Sequence, residues 1–529
     1  MKKQQLETIY LDKIVGGGQT LGTLADGRKC FVWGGLPGET VTVHITKKKS
    51  HLVEAVVEEV VSPSPDRIQP RDPDSYLSTS PWQIMPLEIE QAHKRRLIDD
   101  AFTLHNVTLP GEIDIYCDNV AYGYRNKVEF SWYSESVASR TVSQKKSGLA
   151  LAGPGLFSDD TRGVNAHSDR DGPFSDTLDL AFFRRGSKGK IVVYGTSLAH
   201  PAINNLARAI RDLLRHKRVA ARQLKTLLVR CDQSGSCVWQ LYVKDCLPEI
   251  ITADEAAKLP AQGGEIIYSD PRSPASRITE RLAHFGDTTL TDTILGVPFR
   301  YACEGFFQVN IPVYEQALRD MQQWTGRDYS DQQRVISQKK SGQHRESKQH
   351  GSSNSFSEGF AFPASVRQER QLIQLAARRP EEKDVCETGE PALDLYAGVG
   401  TIGLTIGGGN VTLVEINADA VREMQRNITE LDRTDARAVL APSEQALDYI
   451  TGKEIVIVDP PRAGLHPDVI ATLLQKLPPR IIYLSCNPVT QARDVALLQQ
   501  HYRIAWHRGY NFFPRTPHIE HLIILDKKP

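Results

Sequence analysis

The last third of the chain repeats one pattern, in which a short apolar run ends on a polar or reactive residue. One such run, Ile455–Val458, is followed by Asp459. Another, over residues 481–484, leads into Ser-Cys-Asn-Pro and so into Cys486. Apolar runs of this length between turn residues are typical of buried strands in a parallel sheet. They alternate with helical patterns from about residue 290 onwards, which predicts a doubly wound α/β sheet.

A glycine-rich segment precedes both runs and reads Asp-Leu-Tyr-Ala-Gly-Val-Gly-Thr-Ile-Gly over residues 394–403. Its glycines permit a tight turn and a close approach of a ligand to the backbone at a helix N-terminus. The next predicted strand ends on Glu415, where a carboxylate can bind both hydroxyls of a ribose. Because no pyrophosphate or 2′-phosphate site is recognisable, the pattern favours S-adenosyl-L-methionine over NAD. A purely structural strand–helix turn is the alternative.

The two prolines after Asp459 predict a rigid segment that holds this acid and Arg462 at the carboxyl edge of the sheet. Asp-Pro-Pro also suits an amino-methyltransferase site like Asp-Pro-Pro-Tyr, where the acid holds an exocyclic amine. The tyrosine is absent here and a cysteine motif follows. The sequence therefore indicates a carbon atom as the methyl acceptor, with Cys486 as the nucleophile.

The composition is that of a soluble globular protein with several domains: 529 residues, 40% apolar and 24% charged. No apolar run reaches the roughly 18 residues of a membrane span, and the N-terminus lacks an apolar signal core, so a cytoplasmic protein without a membrane partner is expected. The eight cysteines are scattered without a Cys-x-x-Cys pair, which argues against a zinc or iron–sulfur site. Equal numbers of basic and acidic residues neither indicate nor exclude nucleic acid, because binding depends on local patches.

Four parts are predicted along the chain. Residues 1–62 contain short alternating runs between glycine-rich turns, which predicts a small β-barrel of the OB type, a frequent nucleic-acid module. A linker and a basic helix follow over residues 63–107. A central α+β domain that recognises RNA is expected over residues 108–290, and the doubly wound α/β domain over residues 291–529.

In the predicted central domain, basic and aromatic side chains alternate along the strand that contains Tyr124, Arg125 and Phe130. Such side chains suit stacking on RNA bases and pairing with phosphates; a half-buried strand with a polar face is the alternative. Two polar insertions, about 136–176 and 327–390, share the sequence Ser-Gln-Lys-Lys-Ser-Gly and predict surface loops without a core.

Five motifs occur in an order that resembles the RNA uracil-C5 methyltransferase family, which acts on tRNA and 23S rRNA. In this chain they read Glu-Gly-Phe-Phe-Gln-Val-Asn (304–310), Asp-Leu-Tyr-Ala-Gly-Val-Gly (394–400), Val-Asp-Pro-Pro-Arg-Ala-Gly (458–464), Tyr-Leu-Ser-Cys-Asn-Pro (483–488) and Phe-Pro-Arg-Thr-Pro-His-Ile-Glu (513–520). The N-terminal barrel resembles the TRAM RNA-binding domain of many members. The resemblance implies a monomeric enzyme with a class I, Rossmann-like methyltransferase domain that makes 5-methyluridine.

The resemblance also implies a role for individual residues. Cys486 would be the nucleophile that adds to uracil C6, and Glu520 the general base that removes the C5 proton. His518 and His521 are alternative bases. Arg125 and Arg462 would contact RNA, while S-adenosyl-L-methionine would be bound by Gln308, Tyr396, Thr401, Glu415 and Asp459. The extruded target base would stack on Phe306, Phe307 or the strand with Tyr124 and Phe130.

The chain departs from the family at residues 74–83, where many relatives carry an iron–sulfur cysteine motif and this sequence has serines. No iron–sulfur cluster is therefore expected. The TRAM resemblance favours 23S rRNA over tRNA as the substrate. Two rival functions remain open at this point: an RNA cytosine-C5 methyltransferase, and an RNA-binding folding factor whose methylation is dispensable.

Overall fold

The computed structural model describes residues 6–135, 177–274, 276–325 and 391–529, and both polar insertions lie outside them. The chain divides into two compact units. The first unit comprises Met1–Arg71, Ser80–Arg125 and Thr289–Pro529, and the second comprises Asp72–Thr79 and Asn126–Thr288. The four-part division given above stays a prediction. Across the described ranges, no helix is both long and apolar enough to cross a membrane.

The strands are β1 (Leu6–Ile14), β2 (Thr20–Thr23), β3 (Lys29–Trp33), β4 (Thr40–Lys48), β5 (Leu52–Ser62), β6 (Ile115–Tyr116), β7 (Lys127–Glu135), β8 (Thr177–Phe183), β9 (Lys190–Val192), β10 (Leu224–Cys231), β11 (Cys237–Val243), β12 (Gly263–Tyr268), β13 (Glu280–Gly286), β14 (Thr289–Ile294), β15 (Val297–Ala302), β16 (Ala392–Leu395), β17 (Val411–Glu415), β18 (Ala436–Leu440), β19 (Ile455–Val458), β20 (Arg480–Ser485), β21 (Tyr502–Tyr510) and β22 (Glu520–Lys527). The helices are α1 (Tyr76–Thr79), α2 (Leu87–Leu104), α3 (Pro201–His216), α4 (Ala253–Ala256), α5 (Ile311–Gln322), α6 (Thr401–Ile406), α7 (Ala418–Glu430), α8 (Pro467–Lys476) and α9 (Pro488–Leu498). Short 3-10 turns occur at Ala221–Gln223, Pro248–Ile250, Ser443–Gln445 and Leu447–Tyr449.

The N-terminal strands close into a five-stranded barrel in the order β1-β2-β3-β5-β4, with β1 paired to β4. Alternate positions of each strand face inwards, so the barrel is filled by side chains such as Leu11, Val32, Val41 and Val53. The small barrel predicted from the sequence is therefore confirmed.

The second unit is built on a seven-stranded sheet in the order β13-β12-β11-β10-β7-β8-β9. Its neighbours pair antiparallel except for β11 and β12, which are parallel. The amphipathic helix α3 supplies Ile203, Leu206 and Ile210 to the core on one face of this sheet. Aromatic side chains of the sheet, including Phe130 and Trp132, fill the same core. This unit is an α+β assembly.

The C-terminal part of the first unit contains an eight-stranded sheet in the order β18-β17-β16-β19-β20-β22-β21-β6. The strands β16 to β20 run parallel, and β22 lies antiparallel between β20 and β21. Chain order reverses at β16, since β17 lies on one side of it and β19 on the other. This is the topological switch point at which open α/β sheets bind ligands. The predicted Rossmann-like fold is confirmed.

A buried polar network fixes the segment before β22. The Lys94 ammonium, in α2, lies 2.8 Å from a Glu90 carboxylate oxygen and donates to Asn511 Oδ1 at 2.5 Å. Glu90 accepts hydrogen bonds from Asn511 Nδ2 and from the Arg515 backbone N–H, at 3.0 and 2.9 Å. Both members of the ion pair are fully buried. One basic residue of the predicted basic helix, Lys94, is therefore buried in an ion pair within the protein.

The N-terminal barrel packs against the same segment. The Trp82 indole donates to the Gly18 carbonyl at 3.1 Å, and the Trp82 backbone N–H donates to the Arg515 carbonyl at 3.1 Å. Gly18 has a φ of +87°, and a Cβ placed there would lie 2.1 Å from the Pro517 Cβ. A side chain at residue 18 would therefore collide with the segment that leads to Glu520.

We expect Lys94→Met to lower the free energy of unfolding by about 3–5 kcal/mol, because the buried Glu90 carboxylate loses its cation. Urea denaturation of the full chain measures this. Arg95→Met is the matched control, since Arg95 is exposed on the same helix and should change stability little. Equal losses in the two variants would contradict the structural role of Lys94. The double variant Glu90→Gln/Lys94→Met should recover part of the loss.

Candidate functional site

The carboxyl end of β17 carries Glu415 beside the glycine-rich turn. One Glu415 carboxylate oxygen accepts from the Gly398 N–H at 2.9 Å, and the other accepts from the Asn417 N–H at 2.8 Å. These bonds fix the carboxylate at the switch point, and its half-buried position leaves room for further donors. The next residue, Ile416, is an apolar side chain that is 65% exposed. Sequence reasoning did not single out Ile416.

The turn after β16 is held by Asp394, whose Oδ2 accepts from the Gly403 N–H at 2.8 Å. Its other oxygen is buried without a partner among the described residues. Gly400 has a φ of +89°, a left-handed conformation that favours glycine. Thr401 begins α6, and its hydroxyl lies 2.8 Å from the Tyr314 hydroxyl. Tyr314 joins α5 to this turn and was missed by sequence reasoning, since a lone helical tyrosine carries no motif signal.

The segment before α5 contributes two buried amides. Gln308 is 8% exposed, and Asn310 is 1% exposed. Neither the oxygen nor the nitrogen of the Asn310 side chain has a partner within the described part of the chain. Asn310 lies one helical turn before Tyr314, so these unpaired groups lie close to the glycine-rich turn. Unpaired buried polar atoms are costly, and their presence here fits a site that binds a polar ligand.

Tyr396 follows β16 with a φ of +66°, so the chain turns sharply at this residue. Burial raises the pKa of its phenol, whereas hydrogen bonds with Ser443 and the His466 backbone oppose the rise. The hydroxyl is therefore engaged within the protein. The ring is partly buried against the main core, so one side of it is also used within the protein.

Cys486 and Glu520 are brought together by the pairing of β20 with β22. Ser485 is opposite His521 in this antiparallel pair, so the next position places Cys486 opposite Glu520. Directly opposed residues share one face of a sheet. Glu520 is 5% exposed and Cys486 is half-buried, while Asp459 follows the adjacent strand β19 at the same edge.

The electrostatics of this edge are dominated by buried acids. Burial raises the pKa of the Cys486 thiol to about 11, and the Glu520 and Asp459 carboxyls add to the rise. Burial raises the pKa of Asp459 to about 7 and that of Asp394 to about 8, the latter also through Asp459 and Glu415. Burial, reinforced by Asp459, raises the pKa of Glu520 well above its usual range.

Arg462 is the cation that opposes these shifts. It lowers the pKa of Cys486 through its charge and a hydrogen bond, and it lowers that of Glu520 through its charge. Its Nη2 lies 3.3 Å from His518 Nδ1, and its carbonyl accepts from Asn487 Nδ2 at 2.8 Å. The guanidinium is exposed at the mouth of the site, where it can contact both the thiol and an incoming anion.

The two histidines that flank Glu520 differ in position. His521 is fully buried on the opposite face of β22, where it contacts Gln491 Oε1 at 2.8 Å and His507 at 3.2 Å. Burial lowers the pKa of His521 well below its usual range. His518 is exposed beside Arg462. The geometry thus leaves His521 facing away from the thiol.

Among the aromatic side chains proposed for base stacking, Phe130 is fully buried in the core of the second unit, which excludes it. Phe307 is 4% exposed and stacks on Tyr301 with ring centroids 4.0 Å apart, so it too is used internally. Phe306 is 70% exposed and remains available.

Tyr124 and Arg125 lie in the first unit. The Tyr124 hydroxyl donates to the Pro514 carbonyl at 3.0 Å, in the segment that precedes Glu520. Arg125 is half-buried and follows directly in the chain. The hydrogen bond thus joins Tyr124 to the segment that precedes Glu520.

Comparisons with known proteins agree with this geometry. Residues 409–528 match the family model described as tRNA (Uracil-5-)-methyltransferase. An "uncharacterized RNA methyltransferase" of Nitratidesulfovibrio vulgaris is 24% identical over 98% of this chain and 96% of that protein. The tRNA (uracil(54)-C(5))-methyltransferase of Pyrococcus abyssi is 42% identical over 25% of this chain and 32% of that protein.

A crystal structure of the Pyrococcus abyssi tRNA (uracil-54, C5)-methyltransferase in complex with S-adenosyl-L-homocysteine has a TM-score of 0.64 to this chain at 18% identity. The match covers 98% of this chain and 99% of that chain, which supports the overall fold. Together with the family match, the relatives confirm the predicted resemblance to RNA uracil-C5 methyltransferases and the predicted enzyme class.

We expect the rate of Cys486 alkylation by iodoacetamide to rise about tenfold per pH unit from pH 7 to 10, because only the thiolate reacts and the pKa of Cys486 is raised to about 11. Mass spectrometry of the Cys486 peptide measures the rate. Alkylation of the peptide with the exposed Cys246 is the control that shows that the reagent is active at each pH. Arg462→Ala should slow the reaction further at each pH. A rate that levels off near pH 8 would contradict the raised pKa.

Proposed function

We propose that the chain, whose C-terminal part matches the tRNA (uracil-5-)-methyltransferase family, methylates C5 of a uridine in structured RNA with S-adenosyl-L-methionine as the methyl donor. One observation carries this proposal: the β20–β22 register sets a nucleophilic thiol, Cys486, opposite a buried carboxyl, Glu520. Both lie at the carboxyl edge of the parallel strands, where Asp459 also lies. A protein that only bound RNA or a nucleoside would need neither group.

The acid-rich edge fits a cationic cofactor. Glu415 would bind the ribose hydroxyls, and the exposed Ile416 would cover the adenine ring. Gln308, Asp394, Tyr396, Thr401 and Asp459 would contact the rest of the cofactor. S-adenosyl-L-methionine supplies an electrophilic methyl group on a positively charged sulfonium. A positive charge favours the ionised forms of nearby carboxyls, which offsets the cost of burying them together.

The protein residues supply nucleophilic and proton-transfer chemistry. The Cys486 thiol loses its proton to solvent and its sulfur bonds to uracil C6, while the electron pair of the C5–C6 double bond shifts to give an enolate with electron density on C5. Arg462 stabilises the thiolate that forms in this step and can also bind an RNA phosphate. The raised pKa of Glu520 suits the later step, because a buried carboxylate is a stronger base than an exposed one.

Product release requires removal of the C5 proton. Glu520 takes this proton after C5 has been methylated, and the C–H electron pair restores the C5–C6 double bond as the Cys486 sulfur leaves. A uridine reaches both groups only when it is unpaired or flipped out of a helix. The exposed Phe306 is available to stack on it. The first RNA to test is 23S rRNA, because the N-terminal barrel resembles the TRAM domain. The second is tRNA.

RNA tritiated at uracil C5 tests the reaction. We expect wild type with S-adenosyl-L-methionine to release tritium and Cys486→Ala to release none. Glu520→Gln should form the covalent RNA adduct but fail to resolve it, so that a protein–RNA complex survives denaturing electrophoresis. Glu430→Gln, an exposed glutamate of α7, is the matched control and should behave as wild type.

Three outcomes would redirect the assignment. If the wild type transfers methyl groups but the tritium stays in the RNA, uracil C5 is not the methylated atom. A 5-methylcytidine product would establish the cytosine enzyme instead. Restoration of cellular function by Cys486→Ala would favour an RNA-folding role.

We also expect the affinity for S-adenosyl-L-methionine to rise between pH 6 and 8. Asp459 has a raised pKa of about 7, and a cationic ligand binds more tightly to the ionised carboxylate. Below pH 7, ionisation of Asp459 should raise the affinity for S-adenosyl-L-methionine by up to about tenfold per pH unit. Isothermal titration measures it. Asp459→Asn should flatten the profile, whereas Asp419→Asn, an exposed acid of α7, should leave it unchanged.

A further inference from the structure

The β8–β9 hairpin of the second unit exposes two aromatic rings. Phe183 is 58% exposed and Tyr194 is 70% exposed, with Val192 at 45% between them along the edge of the sheet. Lys190 is opposite Phe183 in the antiparallel pairing, so these residues share one face. We call Phe183, Lys190, Val192 and Tyr194 the hairpin face. Contiguous exposed apolar patches that are rimmed by polar residues mark interaction sites.

Each ring of the hairpin face lies under a cation. The Lys190 ammonium is 5.3 Å from the centre of the Phe183 ring. The Arg208 guanidinium of α3 is 4.4 Å from the centre of the Tyr194 ring and donates to the Tyr194 carbonyl at 3.1 Å. Such contacts keep the rings oriented and keep a positive charge beside each of them.

The surrounding sequence is strongly basic, although the whole chain has a net charge of zero. Residues 180–218 contain nine lysines and arginines and a single acid, Asp212, which gives this stretch a net formal charge of +8. Arg184 and Lys188, at the tip of the hairpin, are exposed. A local excess of this size attracts a polyanion, whatever the net charge of the chain.

Some of these cations form ion pairs or hydrogen bonds within the protein. Arg215 pairs with Asp179, Arg211 with Asp212, and Arg185 donates to the Leu77 carbonyl, all within the second unit. The cations nearest the rings make hydrogen bonds as well as cation–π contacts, since Lys190 donates to the Trp132 carbonyl at 2.7 Å and Arg208 donates to the Tyr194 carbonyl. The combination of exposed rings with flanking positive charge is complementary to unpaired nucleotides, whose bases stack and whose phosphates pair. A purely apolar protein partner would leave Lys190 and Arg208 desolvated without a counter-charge.

We propose that the hairpin face binds an unpaired stretch of the substrate RNA, with bases stacked on Phe183 and Tyr194 and phosphates beside Arg184, Lys188 and Arg208. The choice of RNA as the partner rests on the proposed methyltransferase function. The inference goes beyond that function by assigning a second RNA contact, on the unit that carries neither Cys486 nor Glu520.

Fluorescence anisotropy with a labelled twelve-nucleotide oligouridine tests the surface. Phe183→Ala/Tyr194→Ala should weaken binding by at least tenfold, since each ring removed loses one stacking partner. Arg184→Gln/Lys188→Gln should instead reduce the slope of log affinity against log salt by about 1.4, from two phosphate contacts with a single strand. Both pairs of side chains are exposed, so the variants should keep the thermal midpoint of wild type.

Two control variants sharpen the comparison. Leu497→Ala removes an exposed apolar side chain of α9, and Arg272→Gln removes an exposed cation that follows β12, away from the β9 edge of the same sheet. Neither should alter the affinity or the salt slope. A blunt RNA duplex should bind equally well to wild type and to the ring variant.

Unchanged binding of oligouridine to the ring variant would overturn the proposal, and so would an equal loss of affinity for the duplex. Tritium release from uracil C5 distinguishes this result from a failure of the proposed function. If oligouridine binding depends on the two rings but the wild type releases no tritium, the proposed RNA contact on the hairpin face is supported and the methyltransferase reaction is rejected. If the wild type releases tritium but oligouridine binding does not depend on the rings, the methyltransferase reaction is supported and the RNA contact on the hairpin face is rejected.

Discussion

The antiparallel pairing of β22 with β20 is the constraint on which the candidate site depends. Every other strand next to the switch point is parallel, and such strands deliver only their carboxyl ends to this edge. Because β22 runs the other way, its first residue, Glu520, arrives where β20 delivers Cys486. A slip of one residue would exchange Glu520 for His521 on the face of the thiol. The hydrogen bonds of His521 with Gln491 and His507 oppose that slip.

The segment before Glu520 is held from two directions. The buried Lys94–Glu90 pair binds Asn511 and the Arg515 backbone, and the barrel turn at Gly18 packs against Pro517. The N-terminal barrel thereby contributes to the position of Glu520, the proposed general base. Such support is expected for a site in which small displacements of a catalytic group are costly.

The acids at the sheet edge are unfavourable for the protein alone. Burial raises the pKa values of Asp394, Asp459 and Glu520, and the charge of Asp459 adds to the rise for Asp394 and Glu520. Perturbed acids of this kind cluster at functional sites, where a ligand of opposite charge relieves them. Arg462 is exposed and lies at the mouth of the site, so it cannot neutralise all of them. Burial, together with the charges of Glu520 and Asp459, also raises the pKa of the Cys486 thiol.

The sequence by itself determined the fold class and the motif residues, because apolar strands ending in Glu415, Asp459 and Cys486 have to meet at one edge of a parallel sheet. It also predicted the N-terminal barrel, since alternation of apolar and polar residues is a local property. Tertiary structure decided which aromatic residues are available: Phe130 and Phe307 are buried, whereas Phe183 and Tyr194 are exposed. It also decided the contacts of Lys94 and Gly18 with the segment before Glu520, since partners more than 400 residues apart leave no local pattern.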